Sequence, residues 1–384
     1  MILMVNVWDI KPFCHIPSDG YLLLTLFYLL FSFFLFPDRK FRFFSKQMIP
    51  FWLIVTGMIL SIIPAMIFHG QSVSQSILTY RSQLLWIAVP VVCRLRPHKR
   101  NIMDASLLFT VMMFCVTVLH SIIPDLFAAP SESDYFHKAE YLVSGYAIAI
   151  FPLIISMEKL RYNVDIKSIV IVLFCLFFFF VIQNRTSIIA AVAVVCVMLF
   201  NSKTKFKYVF YISFCVLAIV FVFATVDTWT ALFNETVSDL ADEDYNRNKA
   251  YFYFLSPFAN PSWVTYLTGN GYLSAHSTSL MADMMSEGVY NSDVGYVGFW
   301  NQFGILPIIG FLYMIFRGLF RPSVSKIPFA CAIYMLATSM TIGYYAGSSS
   351  MLCFVFVYYL IMYCTDHKKI AVLKMVPEEI IVRP

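Results

Sequence analysis

Charge is scarce in this chain. Of its 384 residues only 13% are Asp, Glu, Lys or Arg, while 60% are apolar, and the mean hydropathy is +0.75. A soluble domain of this length has no use for so much apolar surface. The formal charge of +5 does not point to nucleic acid, because the basic residues sit in short loops between apolar runs. Most of the nine cysteines lie inside apolar runs (Cys93, Cys115, Cys175, Cys196, Cys215, Cys331, Cys353 and Cys364), and the one long polar segment has none. They read as small packing residues, so no disulfide framework is expected. The N-terminus lacks the basic flank and small-residue cleavage site of a signal peptide, and is expected to be that of the mature chain. No internal repeat of the kind that marks many transporters is visible.

What is present is a series of apolar runs of about 17–25 residues, the length that carries a helix across a bilayer. They fall at about Tyr21–Phe36, Met48–Phe68, Ile77–Cys93, Asp104–Ile123, Tyr141–Met157, Ser168–Ile182, Ser187–Phe200, Tyr208–Val226, Asp293–Phe316, Pro328–Tyr345 and Met351–Cys364. The chain is therefore expected to be an all-α polytopic membrane protein with about 11 transmembrane helices, within a range of 10–12. Basic loops follow the odd runs and neutral or acidic loops follow the even ones. The bias of Lys and Arg to the inner side then puts the C-terminus in the cytoplasm and the long polar segment outside. Four regions follow: 1–227 with transmembrane helices 1–8, the large outer loop 228–292, helices 9–11 over 293–364, and a cytoplasmic tail over 365–384.

The outer loop is too long for a simple connection. It is rich in aromatics, including Trp229, Tyr245, Tyr251, Phe252, Tyr253, Phe254, Trp263 and Tyr266, which argues against disorder. It reads as a folded, partly helical lid that carries the chemistry. Cations on the outer side need a reason, and there Arg81, Arg185 and Arg247 stand out. Arg185 sits in a hairpin too short to be loose, fixed by two helix ends. Arg81 lies one turn inside the third run, where a structural arginine facing the bundle is as good a reading as a ligand contact. Arg247, with Lys249 close by, looks like the first turn of a short helix capped by Asp242 or Asp244. Each alone has a plain alternative, a side chain snorkelling to the headgroups or a solvated helix face. Together they suggest a phosphate-bearing ligand, because guanidinium groups grip phosphate oxygens bidentately.

Gly269 and Gly271 permit a tight turn and a close backbone approach just before His276. A histidine so placed can be a general base near neutral pH; an ordinary exposed or core histidine is the plainer alternative. Ser292-Asp293 is read as a helix N-cap at the start of the ninth run. Asp242-Glu243-Asp244 is read as a solvated acidic turn rather than a metal site, so neither metal nor cofactor is expected.

The ordered set resembles the bacterial O-antigen polymerase and O-antigen ligase superfamily. It comprises Asn184-Arg185-Thr186 between two runs, Arg247 in the outer loop, Gly269-Asn270-Gly271-Tyr272, His276 in His276-Ser277-Thr278-Ser279-Leu280, Ser292-Asp293-Val294-Gly295, and Phe303-Gly304-Ile305-Leu306. The likeness covers about 183–316 and the overall topology. It implies a membrane glycosyltransferase with a GT-C-like helical fold, metal-independent and inverting, whose donor is a glycan on undecaprenyl pyrophosphate. By the same likeness Arg185 and Arg247, with Arg81, would bind the pyrophosphate, His276 would take the acceptor's proton, and Lys249, Gly269, Gly271 and Asp293 would support the site. Serine follows the histidine where the ligase pattern has asparagine, which favours the polymerase, joining lipid-linked repeat units on the outer face of the inner membrane. The alternatives are the ligase that moves glycan onto lipid A–core, and a flippase or other transporter. The implied partners are lipid-linked oligosaccharides as donor and acceptor, the bilayer, and a chain-length regulator and flippase of the same pathway.

Overall fold

The structure, a computed structural model, describes residues 18–35, 41–122, 145–182, 184–201, 246–257, 259–274, 278, 284, 289–321, 325–339 and 348–363. The eighth apolar run, the acidic stretch Asp242-Glu243-Asp244, His276 and the tail lie outside the described residues. Every regular element among the described residues is helical. In chain order they begin α1 (Ser18–Leu35), α2 (Ile49–Leu60), α3 (Ile62–His69), α4 (Val73–Thr79), α5 (Ala88–Leu95) and α6 (Lys99–Ile122). Then come α7 (Ile150–Leu160), α8 (Ile166–Ile182), α9 (Arg185–Phe200), α10 (Asn246–Leu255) and α11 (Trp263–Thr268). The last are α12 (Gly295–Phe303), α13 (Ile305–Phe320), α14 (Ile327–Thr338) and α15 (Ser348–Met362).

Two helical stretches are long and apolar enough to cross a membrane, Lys46–His69 with 24 residues and Lys99–Leu119 with 21. A third counts if Val73–Thr79 and Gln83–Leu95, bent by 64° at their break, form one span. The remaining apolar helices among the described residues have 10–17 residues.

Two expected spans are not single straight helices. The third is interrupted: α4 gives way to a 3-10 stretch over Tyr80–Ile87 before α5 resumes. Arg81 therefore lies at an elbow, not one turn inside a continuous helix. The ninth is interrupted at Gly304, between α12 and α13. Nor does the ninth run's helix begin at residues 292–293. They belong to a short 3-10 turn, Asn291–Val294, and α12 follows Val294 with no side-chain cap. A Val294 carbon chain has no acceptor to offer the helix N–H groups, and Gly295 takes φ 46° at the junction.

Interhelical packing relies on small residues. Gly310 of α13 lies against Pro50, Leu53 and Ile54 of α2, Gly57 of α2 against Pro307 of α13, and Gly318 of α13 against Ala332 and Pro328 of α14. Missing side chains let backbones approach closely, which is how apolar helices gain packing where water drives nothing together.

The basic loops meet at one end of this body. Arg161 pairs with Glu158 at 2.6 Å and donates from Nε to the Asn201 carbonyl. Glu158 accepts the Lys326 N–H at 3.2 Å, and Lys99 Nζ reaches Ser325 at 3.4 Å. The Tyr359 hydroxyl donates to the Pro97 carbonyl, Arg317 to the Met362 carbonyl, and the Tyr358 hydroxyl to the Gln47 carbonyl. Described residues that follow the first, third, fifth, seventh and ninth apolar runs thus share one end with the last residues of α15. Helices α2 and α3 lead from there to the opposite end, at His69, where the described part of the long polar segment sits.

Candidate functional site

The opposite end is built on four buried asparagines. Asn260, Asn270, Asn291 and Asn301 are each at most 8% exposed. A buried amide left without partners is costly, so each must find them within the fold. Asn260 Nδ2 donates to the Phe254 carbonyl at 2.7 Å, and its Oδ1 accepts from Nδ2 of Asn270 at 3.2 Å and of Asn301 at 3.4 Å. Asn301 Oδ1 accepts from Asn291 Nδ2 at 3.2 Å. Trp300 Nε1 donates to the Tyr266 carbonyl at 2.6 Å. The end of α10, the link at Asn260, the Gly-Asn-Gly turn, Asn291 and the end of α12 are thereby joined in one polar unit.

The turn itself is pinned by backbone. Asn270 N–H donates to the Asn301 carbonyl at 2.7 Å, and Gly271 N–H to the Gln302 carbonyl at 2.8 Å. Both carbonyls lie near the C-terminal end of α12, where the break at Gly304 leaves acceptors without intrahelical donors. Gly269 has φ 80° and Gly271 φ 83°. A side chain on Gly269 would collide with the Gln302 carbonyl and come within 2.5 Å of Phe303 N, and one on Gly304 would collide with the Leu267 carbonyl. The interruption of the ninth apolar run and the turn of the long polar segment are thus two sides of one contact.

Beyond the turn the chain runs across the ends of α2, α3 and α4. Tyr272 N–H donates to the Tyr80 hydroxyl at 3.3 Å, which shares a 2.5 Å hydrogen bond with Ser61. The Tyr272 carbonyl accepts from Thr79 Oγ1 at 2.9 Å and Gln71 Nε2 at 3.1 Å. Ser274 N–H donates to Gln71 Oε1 at 2.8 Å. Burial pushes the Tyr272 phenol above its ordinary pKa, which keeps it neutral. Thr278 donates from both its N–H and its hydroxyl to the Ser274 carbonyl. His276 lies between these two residues and outside the described ones.

Of the other candidates, Arg81 is exposed and follows Tyr80 directly, so its backbone adjoins the Tyr272 contact. Arg247 is in the first turn of α10, as expected, with Lys249 exposed beside it. The expected caps, Asp242 and Asp244, lie outside the described residues. This helix is held through Ala250 and Phe254, which pack with Met284, Val289 and Val294. Asp293 is in the 3-10 turn that packs on α10. Arg185 opens α9, where Asn184 caps the helix by accepting the Ser187 N–H at 2.9 Å. The main neighbours of α9 are α14, α7 and α8.

Sequence reasoning missed His69, Gln71, Ser61, Tyr80, Asn260, Asn291 and Asn301, and took Asn270 only as the middle of the Gly-Asn-Gly turn. A signal was there: Asn301-Gln302 and Ser61 interrupt apolar runs, and buried amides need partners. No protein-family model matches the chain, and no curated protein matches it.

Proposed function

We propose that this protein is a membrane glycosyltransferase, a polysaccharide polymerase that joins undecaprenyl-pyrophosphate-linked oligosaccharide units on the outer face of the inner membrane. The topology of this reading has about eleven spans, the basic end in the cytoplasm and the long segment outside. The observation that carries it is the docking of that segment. A buried amide unit fixes its Gly-Asn-Gly turn at the end of the body opposite the basic loops. That is where a lipid-linked donor lies once it has crossed the bilayer.

In this reaction an acceptor hydroxyl attacks the anomeric carbon of the donor glycan. The new glycosidic C–O bond forms as the bond to pyrophosphate breaks, and undecaprenyl pyrophosphate leaves with the bonding pair. Arg185 and Arg247, assisted by Arg81, take up the charge that develops on the leaving group; fixed cations aimed at developing charge are usually the largest catalytic contribution. His276 accepts the hydroxyl proton, a role that typically contributes ~10²–10⁴-fold. Lys249, Gly269, Gly271 and Asp293 support that arrangement.

Deleting the gene and examining lipid-linked and surface glycans tests the reading in cells. A polymerase leaves single repeat units on the cell surface and no long chains. Long chains retained on the lipid carrier would instead mark a ligase, and units trapped on the inner face a flippase.

A further inference from the structure

We propose that His69 is a positioning residue that holds Asn270 in place, and through it the turn and the stretch Tyr272–Ser274 leading to His276. The proposal rests on the reading that this outer segment carries the chemistry, and it assigns a role to a residue outside that segment.

The orientation of the Asn270 amide is decided by its neighbours. Its Nδ2 lies 3.2 Å from Asn260 Oδ1 and 3.3 Å from the Asn301 carbonyl, both acceptors. Its Oδ1 therefore faces His69 Nε2, 3.0 Å away. An amide oxygen only accepts, so the imidazole must donate, and His69 carries its proton on Nε2. Both the neutral tautomer and the imidazolium have that N–H, so the bond survives titration of the ring.

The position of His69 in the chain supports a specific purpose. Its predecessors Met66, Ile67 and Phe68 are exposed apolar side chains, as expected of a bilayer-facing helix end, whereas His69 is half-buried against the outer segment. Helix α3 stops there because Gly70 adopts a left-handed conformation with φ 66°. That reversal brings Gln71, fully buried, back onto the same segment, where it bonds both Tyr272 and Ser274. Residues 69 and 71 thus grip 270–274 at both ends. Asn270 is 1% exposed, and among the described residues only His69 offers a donor to its Oδ1. Removing His69 leaves a buried acceptor facing an apolar gap, and the turn loosens.

The test uses the purified full-length protein and compares wild type, His69→Gln and His69→Leu. Glutamine presents an N–H at nearly the reach of Nε2; leucine presents none. Hydrogen exchange of the peptide covering 269–274 is measured together with kcat and KM for lipid-linked repeat units. The expected result is exchange about tenfold faster in His69→Leu, near-wild-type protection in His69→Gln, and a loss in kcat for leucine that glutamine largely restores. Wild-type protection in His69→Leu would overturn the proposal. So would a His69→Gln variant that is well protected but as inactive as leucine, because the imidazole would then handle protons itself. If the wild-type protein transfers no glycan at all, the polymerase reading falls while the exchange data still decide the anchor.

Discussion

Gly269 and Gly304 close on each other: each lacks a Cβ that would run into the backbone of the segment bearing its counterpart, at Gln302–Phe303 on one side and Leu267–Thr268 on the other. The ninth apolar run breaks where the long polar segment turns, and the break supplies the carbonyls that the turn's N–H groups require. Gly269→Ala is therefore expected to destabilise the protein well beyond the ~1–2 kcal/mol of a left-handed alanine, since backbone must also move. Gly70→Ala is the control. It has φ 66° but nothing within 4 Å of the added methyl, so only the conformational cost of ~1–2 kcal/mol applies. Thermal unfolding of the two purified variants in one detergent compares them directly.

Helical, membrane-type architecture was legible in the sequence because apolar runs and loop charge report it directly. The Gly-Asn-Gly turn was legible because φ 80° and 83° demand glycine. The breaks at Tyr80 and Gly304 were not, since an apolar run reads the same whether its helix is straight or interrupted. The asparagine unit was hidden for another reason: Asn260, Asn270, Asn291 and Asn301 are spread over forty-two positions of chain and meet only in three dimensions. The helix expected to start at Ser292-Asp293 begins instead at Gly295, after a 3-10 turn whose Val294 packs with Ala250 and Phe254.

Sidedness is open to a direct check. A reporter active only outside the cytoplasm is expected to work when fused near Asp239 and to fail near Arg321 or Lys369. The gathering of basic loops at one end motivates the pattern. The reverse result at Asp239 would put the outer segment in the cytoplasm and remove the basis of the mechanism.

Arg185→Lys is expected to be damaging although the charge is kept. Lysine is a point charge and cannot present a planar fork to two phosphate oxygens. Loss of one charge-assisted contact is worth ~1.5–3 kcal/mol, or roughly ten- to a hundredfold in rate if it acts in the transition state. Polymer length and yield at matched protein abundance provide the measurement; wild-type values would mark a snorkelling side chain.

On the proposed mechanism, His276→Ala is expected to leave the protein inserted and abundant while abolishing chain extension, because the substitution removes the proposed proton acceptor. A structural histidine would instead lower abundance and activity together. Retained activity at normal abundance would pass the role to Asp283, Glu287 or Asp293, the nearby carboxylates of the same stretch.

The central claim is glycosyl transfer between lipid-linked units, and reconstitution tests it most directly. Purified protein in vesicles is given undecaprenyl-pyrophosphate-linked repeat units, with and without lipid A–core, and the products are resolved by chain length. The account predicts a ladder of lengthening lipid-linked chains, with release of undecaprenyl pyrophosphate, whether or not lipid A–core is present. Transfer seen only when lipid A–core is supplied, with no lengthening on the lipid carrier, would contradict it.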